Sequence, residues 1–189
     1  MAKCVEALAP VGVPLRLMFQ DEGRFGRISR PQRCWAPRGI RPCVAQQIVR
    51  EYIYAFVAAS PHDGTLDSLI LPQVSERTTS IFLKEVSNRH PDDFILMVMD
   101  GAGWHKAKAL DVPENMALIF LPPYSPELNP VEHVWKHIRE NGFHNKVFNS
   151  IDAVEDQLTQ SLRALENDAE LVAKMEGFPW IISMNLHAK

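Results

Sequence analysis

The sequence lacks the features of a membrane or secreted protein. No run of apolar residues approaches the roughly 18 to 20 that a membrane-spanning helix needs, and the N-terminus has no continuous apolar core followed by a cleavage pattern. Only three cysteines are present, and the odd count and wide spacing of Cys4, Cys34 and Cys43 favour free thiols over a disulfide framework or a zinc knuckle. Repeats and low-complexity segments are also missing. We therefore expect a cytoplasmic protein with no membrane partner.

Positive charge is scarce overall but concentrated in one segment. The 189 residues carry a formal net charge of −3, which by itself argues against a nucleic-acid partner. Between Arg16 and Arg50, however, eight arginines stand with no lysine and only two acids, Asp21 and Glu22. Arginine suits bidentate contacts to phosphate, so the segment is either a contact to a nucleic-acid backbone or a solvated, arginine-rich loop.

Hydrophobic patterning predicts a mixed α/β sheet. Residues 15–21 alternate and form a strand whose apolar face ends in Asp21. Residues 50–60 and 65–72 follow as strands of an antiparallel meander. Residues 94–99 and 116–121 are continuous apolar runs, which are typical of central strands buried on both faces.

Helices and loops are predicted between and after these strands. The spacing of apolar residues indicates helices over residues 76–88, over 131–138 and over 151–165, with a short helix within 101–110. Residues 23–42 are rich in glycine, proline and arginine, which predicts an irregular or hairpin excursion.

Three acids occupy the points where such a sheet brings distant residues together. Asp21 and Asp100 end two strands, and Glu132 opens a helix. Glu132 has two interpretations: a capping box with Asn129 as N-cap and Pro130 as first helical residue, or a carboxylate aimed at a ligand. Clustered carboxylates repel one another unless a hard cation such as Mg²⁺ binds them, and two such ions support in-line phosphoryl displacement.

Other acids and histidines fit this chemistry less well. Glu22 points to the opposite face of a continuing strand, and Glu140 lies about 12 Å from Glu132 along the helix axis. The pair His133 and His137 has the spacing of zinc ligands, but no third ligand is evident and the glutamate of an HExxH motif is missing. Residues 92 and 93 are assigned to a loop.

Four motifs together resemble the catalytic domain of DDE transposases of the mariner superfamily, in the branch found in bacterial insertion sequences. They are FQDEGRFG, CWAPRGIRP, MVMDGAGWHK and LPPYSPELNPVEHVWKHIRE. The resemblance implies a ribonuclease H-like fold, with an antiparallel meander plus parallel strands flanked by helices. It also implies the triad Asp21, Asp100 and Glu132 as catalytic residues and ligands of two Mg²⁺ or Mn²⁺ ions.

The resemblance implies DNA transposition as the activity. A metal-activated water hydrolyses a phosphodiester at a transposon end, and the freed 3′-hydroxyl attacks target DNA, typically at a TA dinucleotide. Double-stranded DNA is the expected partner, the chain is expected to act as a homodimer, and its location is the bacterial cytoplasm at the nucleoid. The candidate DNA contacts are Arg24, Arg27, Arg30, Arg33, Arg38, Arg41, Trp104 and His105.

The sequence departs from the family's pattern at its start. Full-length relatives carry helix-turn-helix domains before the catalytic domain, whereas only a lead segment, residues 1–14, precedes the catalytic domain expected over 15–180. We therefore expect either the second half of a frameshifted gene, partnered by an upstream helix-turn-helix product, or a truncated copy. Two other functions stay open: a structure-selective nuclease on the same fold, and a domesticated DNA-binding module without catalysis.

Overall fold

A computed structural model describes residues 12–29, 31–101 and 110–183 of the chain. These residues form five strands, five α-helices and one 3₁₀ helix. In chain order they are β1 (Leu15–Ile28), β2 (Ile48–Ala59), β3 (Leu66–Leu71), α1 (Glu76–Arg89), β4 (Phe94–Met99), β5 (Met116–Phe120), the 3₁₀ helix (Pro126–Leu128), α2 (Val131–Gly142), α3 (Ile151–Glu166), α4 (Ala169–Glu176) and α5 (Pro179–Ile182).

The strands form one mixed sheet in the order β3-β2-β1-β4-β5. The pairs β1–β2 and β2–β3 are antiparallel, whereas β1–β4 and β4–β5 are parallel. All six residues of β4 are buried, because its neighbours on both sides are strands and both faces of the sheet carry helices. The predicted mixed sheet is therefore confirmed.

Each face of the sheet has its own apolar core. Leu17, Phe19 and Val98 belong to the core that includes α2 and α3, while Met18 and Met97 belong to the core that includes α1. The alternation follows from the strand period of two, which sends neighbouring side chains to opposite faces. Asp21 continues the alternation of Leu17 and Phe19, so the carboxylates that follow these strands fall on the α2 side.

Strand β1 is longer than the sequence predicts. The excursion expected from residue 23 onwards is wrong as far as Ile28, because β1 stays paired with β2 from Phe19↔Ala59 to Gly26↔Tyr52. The glycines that suggested a turn serve close approach instead. A Cβ on Gly23 would lie 2.8 Å from Trp135 Cε3, and one on Gly26 would lie 2.2 Å from the Glu51 carbonyl oxygen. The irregular segment is residues 31–47, most of which are exposed.

The helices predicted at residues 76 and 151 are confirmed, each beginning after a serine cap. Ser75 and Thr78 form a reciprocal capping box at α1, and the Ser150 side chain accepts a hydrogen bond from the Ala153 amide at α3. The short helix predicted within 101–110 falls largely on residues 102–109, outside the described residues. Among the helices that the structure describes, none is both long and apolar enough to span a bilayer.

Candidate active site

Asp21 and Asp100 occupy matching positions on neighbouring parallel strands. In the β1–β4 pairing, Phe19 stands opposite Val98, and each aspartate lies two residues further on. Adjacent strands are about 4.8 Å apart, so the register places both carboxylates at one end of the sheet. Asp100 directly follows the last residue of β4 and is exposed, whereas Asp21 is half-buried within the continuing β1.

Glu132 reaches the same place from the first turn of α2. The connection from β5 to α2 crosses the end of the sheet, and with the three acids it encloses a cleft of about 440 Å³. The lining residues are Asp21, Asp100, Gly101, Leu121, Pro122, Pro123, Tyr124, Ser125, Pro126, Asn129 and Glu132. The structure therefore brings the three predicted acids to one cleft from positions 21, 100 and 132.

Asn129 links the two sides of this cleft. Its side chain is buried, and its Nδ2 donates to the Gln20 carbonyl oxygen at 3.0 Å, across 109 residues of sequence. Its Oδ1 accepts from the Val131 amide at 3.3 Å. One amide group thus ties the residue before Asp21 to the first residue of α2. The sequence contains no local signal for the Gln20 contact, so only the helix-capping role was predicted for Asn129.

The capping-box interpretation of Glu132 is wrong. Helix α2 begins at Val131, with Pro130 at the cap position and no side-chain cap hydrogen bond. The Asn129 amide, which a capping box needs, instead donates to the Pro126 carbonyl oxygen at 2.9 Å. A 3₁₀ turn ahead of the helix has taken that donor. Glu132 is left as an exposed carboxylate that faces the cleft.

Trp135 fixes the orientation of Asp21. The indole Nε1 donates to Asp21 Oδ2 at 2.8 Å, and the Trp135 side chain is 1% exposed. The sequence predicted Trp135 only as a core residue of α2. Its ring does fill the core, against Gly23 and edge-to-face with Phe25, and its polar end selects one position of the carboxylate.

The Asp21 carboxylate is short of positive charge. Burial raises its pKa to about 7; the Trp135 hydrogen bond lowers it, and the negative charges of Glu22 and Glu132 raise it further. Repulsion between Asp21 and Glu132 also shows that the two acids are close. A cation is the group that would relieve this repulsion.

The donor set at the cleft suits a hard divalent ion. Three carboxylates offer only oxygen atoms, which Mg²⁺ and Mn²⁺ accept and which do not favour zinc. Within residues 12–29, 31–101 and 110–183, no three His, Cys, Asp or Glu side chains are placed to hold one ion together. The carboxylates thus share the cleft without converging on one point. His133 and His137 instead contact the Met175 carbonyl oxygen and Asn141.

The candidate DNA contacts fall into three groups. Arg24 is exposed on β1, and its guanidinium lies 4.7 Å from the centroid of the Tyr52 ring. Arg27 is bound within the protein, to Glu51 Oε2 at 2.7 Å and to the Phe148 carbonyl oxygen at 3.0 Å. The exposed arginines of the irregular segment are Arg33, Arg38 and Arg41. The remaining candidates, Arg30, Trp104 and His105, lie outside the described residues.

A family model described as DDE superfamily endonuclease matches residues 16–155. The match contains all three acids of the cleft. A protein named "Uncharacterized protein y4pE/y4sA", from Sinorhizobium fredii (strain NBRC 101917 / NGR234), is 40% identical over 105 residues, which are 54% of this chain and 77% of that protein.

Solved structures of Mos1 transposase share the fold. A pre-cleavage Mos1 transpososome aligns with a TM-score of 0.61 at 13% identity, over 89% of this chain and 55% of that one. A Mos1 mariner paired end complex with Mn gives a TM-score of 0.60 at 16% identity, over 85% and 53%. One with Mg gives 0.51 at 14% identity, over 86% and 56%. The chain spans little more than half the length of these transposase chains.

Proposed function

The chain belongs to the DDE superfamily of endonucleases, and from that premise we propose that it is the catalytic domain of a transposase. It cuts DNA at transposon ends and joins the freed ends to target DNA. The observation that carries the proposal is the cleft where Asp21, Asp100 and Glu132 meet from two parallel strands and a helix start. The metal ions named with the Mos1 complexes and the DNA ends of those complexes support it.

The three acids have the role of metal ligands. When bound, Mg²⁺ or Mn²⁺, with two ions expected, supplies activation of the attacking oxygen and stabilisation of charge on the phosphate. Asp21 is held ready for this role by the Trp135 indole, which leaves one carboxylate oxygen for a ligand. Asn129 keeps the start of α2, and with it Glu132, at a fixed distance from β1.

The proposal includes a homodimer acting on double-stranded DNA at the nucleoid, together with an upstream helix-turn-helix product that selects the ends. Support for the dimer comes from residues 31–47, an irregular arm with the ring of Trp35 fully exposed at 103% of its reference surface. A large apolar side chain in that position is typical of an interaction surface. Replacing Trp35 by Ser should shift the mass measured by light scattering towards the monomer.

The central test is cleavage of supercoiled plasmid in Mg²⁺ by wild type, Asp21→Asn and Asp100→Asn. Removing either charge should lower nicking by on the order of 100-fold or more, because charge stabilisation at the reacting phosphate is lost. Glu140→Gln is the matched control: it removes an exposed acid from α2, two turns beyond the cleft. Undiminished nicking in excess chelator would contradict the proposal.

A second assay separates a transposase from a nuclease. Duplex DNA with free 3′-hydroxyl ends is incubated with plasmid and the protein in Mn²⁺ or Mg²⁺. A transposase joins the ends to the plasmid, and the Asp21→Asn variant does not. Nicking without any joined product would assign the chain to the nuclease alternative.

A further inference from the structure

A second cavity, of about 640 Å³, lies beside the catalytic cleft. The two are adjacent in the chain, because Asp21 lines the cleft and Glu22 lines the second cavity. Four permanently cationic side chains, Arg24, Arg27, Arg139 and Lys146, stand in its wall with Glu22 as the one carboxylate in the lining. In a chain of net charge −3, this is a local excess of positive charge.

The walls of the cavity are the extended end of β1 and helix α2, which run side by side away from the catalytic acids. Near the acids, Trp135 donates to Asp21 and packs against Gly23. Further along, the Phe25 ring contacts Phe143, with centroids 4.9 Å apart. The order of these contacts shows that β1 and α2 point in the same direction, so the cavity continues outward from the cleft.

Two of the cations rest on aromatic rings. The Arg24 guanidinium lies 4.7 Å from the Tyr52 ring centroid, and that of Arg139 lies 5.5 Å from the Phe25 ring centroid. Within the described parts of the chain, neither forms an ion pair with a carboxylate. A ring orients a guanidinium without neutralising its charge, so both arginines keep their capacity to bind an anion.

The other two cations differ. The Arg27 charge is paired with Glu51, and its side chain is 16% exposed, so Arg27 builds the wall. Lys146 Nζ donates to Gln157 Oε1 at 2.7 Å. Arg24 and Arg139, both exposed, are therefore the pair best placed to meet a ligand.

Their distances from the catalytic acids agree. Arg139 follows Glu132 by seven residues, about 10.5 Å along the same side of the helix. Arg24 follows Asp21 by three residues, about 10 Å along the strand. One strand of a duplex places a phosphate every 3.4 Å or so along its axis. Two independent elements thus measure about three nucleotide steps.

We propose that Arg24 and Arg139 together hold one backbone phosphate of the bound DNA, about three nucleotides from the bond that is cut. The position of that bond rests on the proposed function of the cleft, whereas the phosphate site itself rests on the two guanidiniums. A phosphate contact fixes the register of the DNA and carries no sequence information. The pair therefore aligns the DNA over the carboxylates and does not select its sequence.

The first test measures binding and needs no cleavage. The affinity for a duplex is determined in chelator over a series of salt concentrations for wild type and for Arg24→Gln/Arg139→Gln. Loss of one phosphate contact should reduce the slope of log affinity against log salt by about 0.9. Arg24→Lys/Arg139→Lys, which keeps both charges, should retain most of the slope.

The matched control is Arg77→Gln/Lys84→Gln, which removes two exposed positive charges from α1 on the opposite face of the sheet. Its slope should equal that of wild type, and its thermal unfolding should match that of the Arg24 and Arg139 variants. An unchanged slope in Arg24→Gln/Arg139→Gln, or an equal fall in the control, would overturn the phosphate site.

The second test locates the phosphate. A duplex with a single 3′-bridging phosphorothiolate fixes the bond that is cut, and an uncharged methylphosphonate is placed at successive positions on either side of it. Wild-type cleavage should fall when the methylphosphonate stands about three nucleotides away, and the double variant should show no such dependence. An identical profile for both proteins would refute the assignment. A protein that cuts no duplex but shows the expected fall in slope would contradict the proposed function and leave the phosphate site standing.

Discussion

Helices α1 and α2 both begin with an acid in the first turn, but the two beginnings are built differently. At α1, Ser75 and Thr78 satisfy each other's amides, and Glu76 is exposed on the surface. At α2 there is no side-chain cap, because Asn129 also bonds to β1, and Glu132 faces the cleft. The comparison shows that the same sequence signal, an acid after a polar residue, stabilises one helix and leaves a functional group available at the other.

The largest effect should come from exchanging the two acids separately for glutamine. Glu132→Gln removes a charge from the cleft and should lower DNA nicking by on the order of 1000-fold, with thermal unfolding in chelator unchanged or raised, because a like-charge neighbour of Asp21 is lost. Glu76→Gln should leave nicking unchanged. The two variants are compared side by side in Mg²⁺. Near-normal nicking by Glu132→Gln would remove the functional difference between the helix beginnings.

The next effect concerns the residues that precede the two helices. Asn129→Ala leaves the Gln20 carbonyl and the Val131 amide without their partner in a buried place, and should lower the free energy of unfolding by about 2–3 kcal/mol. Ser75→Ala removes only a cap and should lower it by about 1 kcal/mol. Denaturant titrations give both values. Nicking should fall in Asn129→Ala and not in Ser75→Ala, and equal losses of stability in the two variants would show that the link to β1 is weak.

An acid at the opposite end of a helix sharpens the comparison. Glu176, the last residue of α4, is fully buried, and neither carboxylate oxygen has a hydrogen-bond partner among the described residues. Burial raises its pKa to about 8 from an ordinary value of 4.5. The folded state therefore binds the proton more tightly than the unfolded state, so the free energy of unfolding is highest below pH 4.5 and falls as pH rises towards 8.

Glu176→Gln should remove this part of the pH dependence. At pH 8 the variant should exceed wild type by about 2 kcal/mol, and near pH 4.5 the difference should vanish. Thermal unfolding from pH 4.5 to 8 measures both. The raised pKa of Asp21 adds a slope of the same sign in both proteins, so the difference between them isolates Glu176. A constant offset at all pH values would show that Glu176 is not protonated in the folded protein.

The smallest effect should come from the segment that leads into α2. Tyr124 has a φ of 58°, which a tyrosine rarely adopts, and its ring is fully exposed at the cleft. Tyr124→Gly relieves this conformation and should change the free energy of unfolding by no more than about 1 kcal/mol, with strain relief offset by the freedom gained in the unfolded chain. Tyr124→Ala keeps the unfavourable φ and should be less stable than the glycine variant. The reverse order in denaturant titrations would show that the conformation is not strained.

The elements with a strong local pattern could be predicted from the sequence. The apolar run of β4 and the spacing of Val154, Leu158 and Leu162 in α3 need no distant partner to be recognised, and these residues are buried as expected. The extension of β1 could not be predicted, because Gly23 indicates a turn until the Trp135 ring that occupies its missing side chain is known.

The candidate site divides in the same way. Asp21, Asp100 and Glu132 could be chosen from motifs, and their meeting in one cleft follows from the strand register, while their roles as ligands stay a prediction. The contacts of Asn129 to Gln20 and of Trp135 to Asp21 span more than a hundred residues, and nothing in the local sequence specifies them. Arg139 was missed for the same reason, because its aromatic support, Phe25, lies on another element.

The hydrogen bond between Trp135 and Asp21 has an optical consequence. An indole whose N–H donates to a carboxylate lies in the electric field of that group, so its emission shifts when the carboxylate gains a proton or a cation. Trp135 is 1% exposed, whereas Trp35 is fully exposed, so solvent quenchers distinguish the two emitters. In a Trp35→Phe background, the fluorescence spectrum of this chain should therefore report the charge state of the cleft directly, without DNA and without turnover.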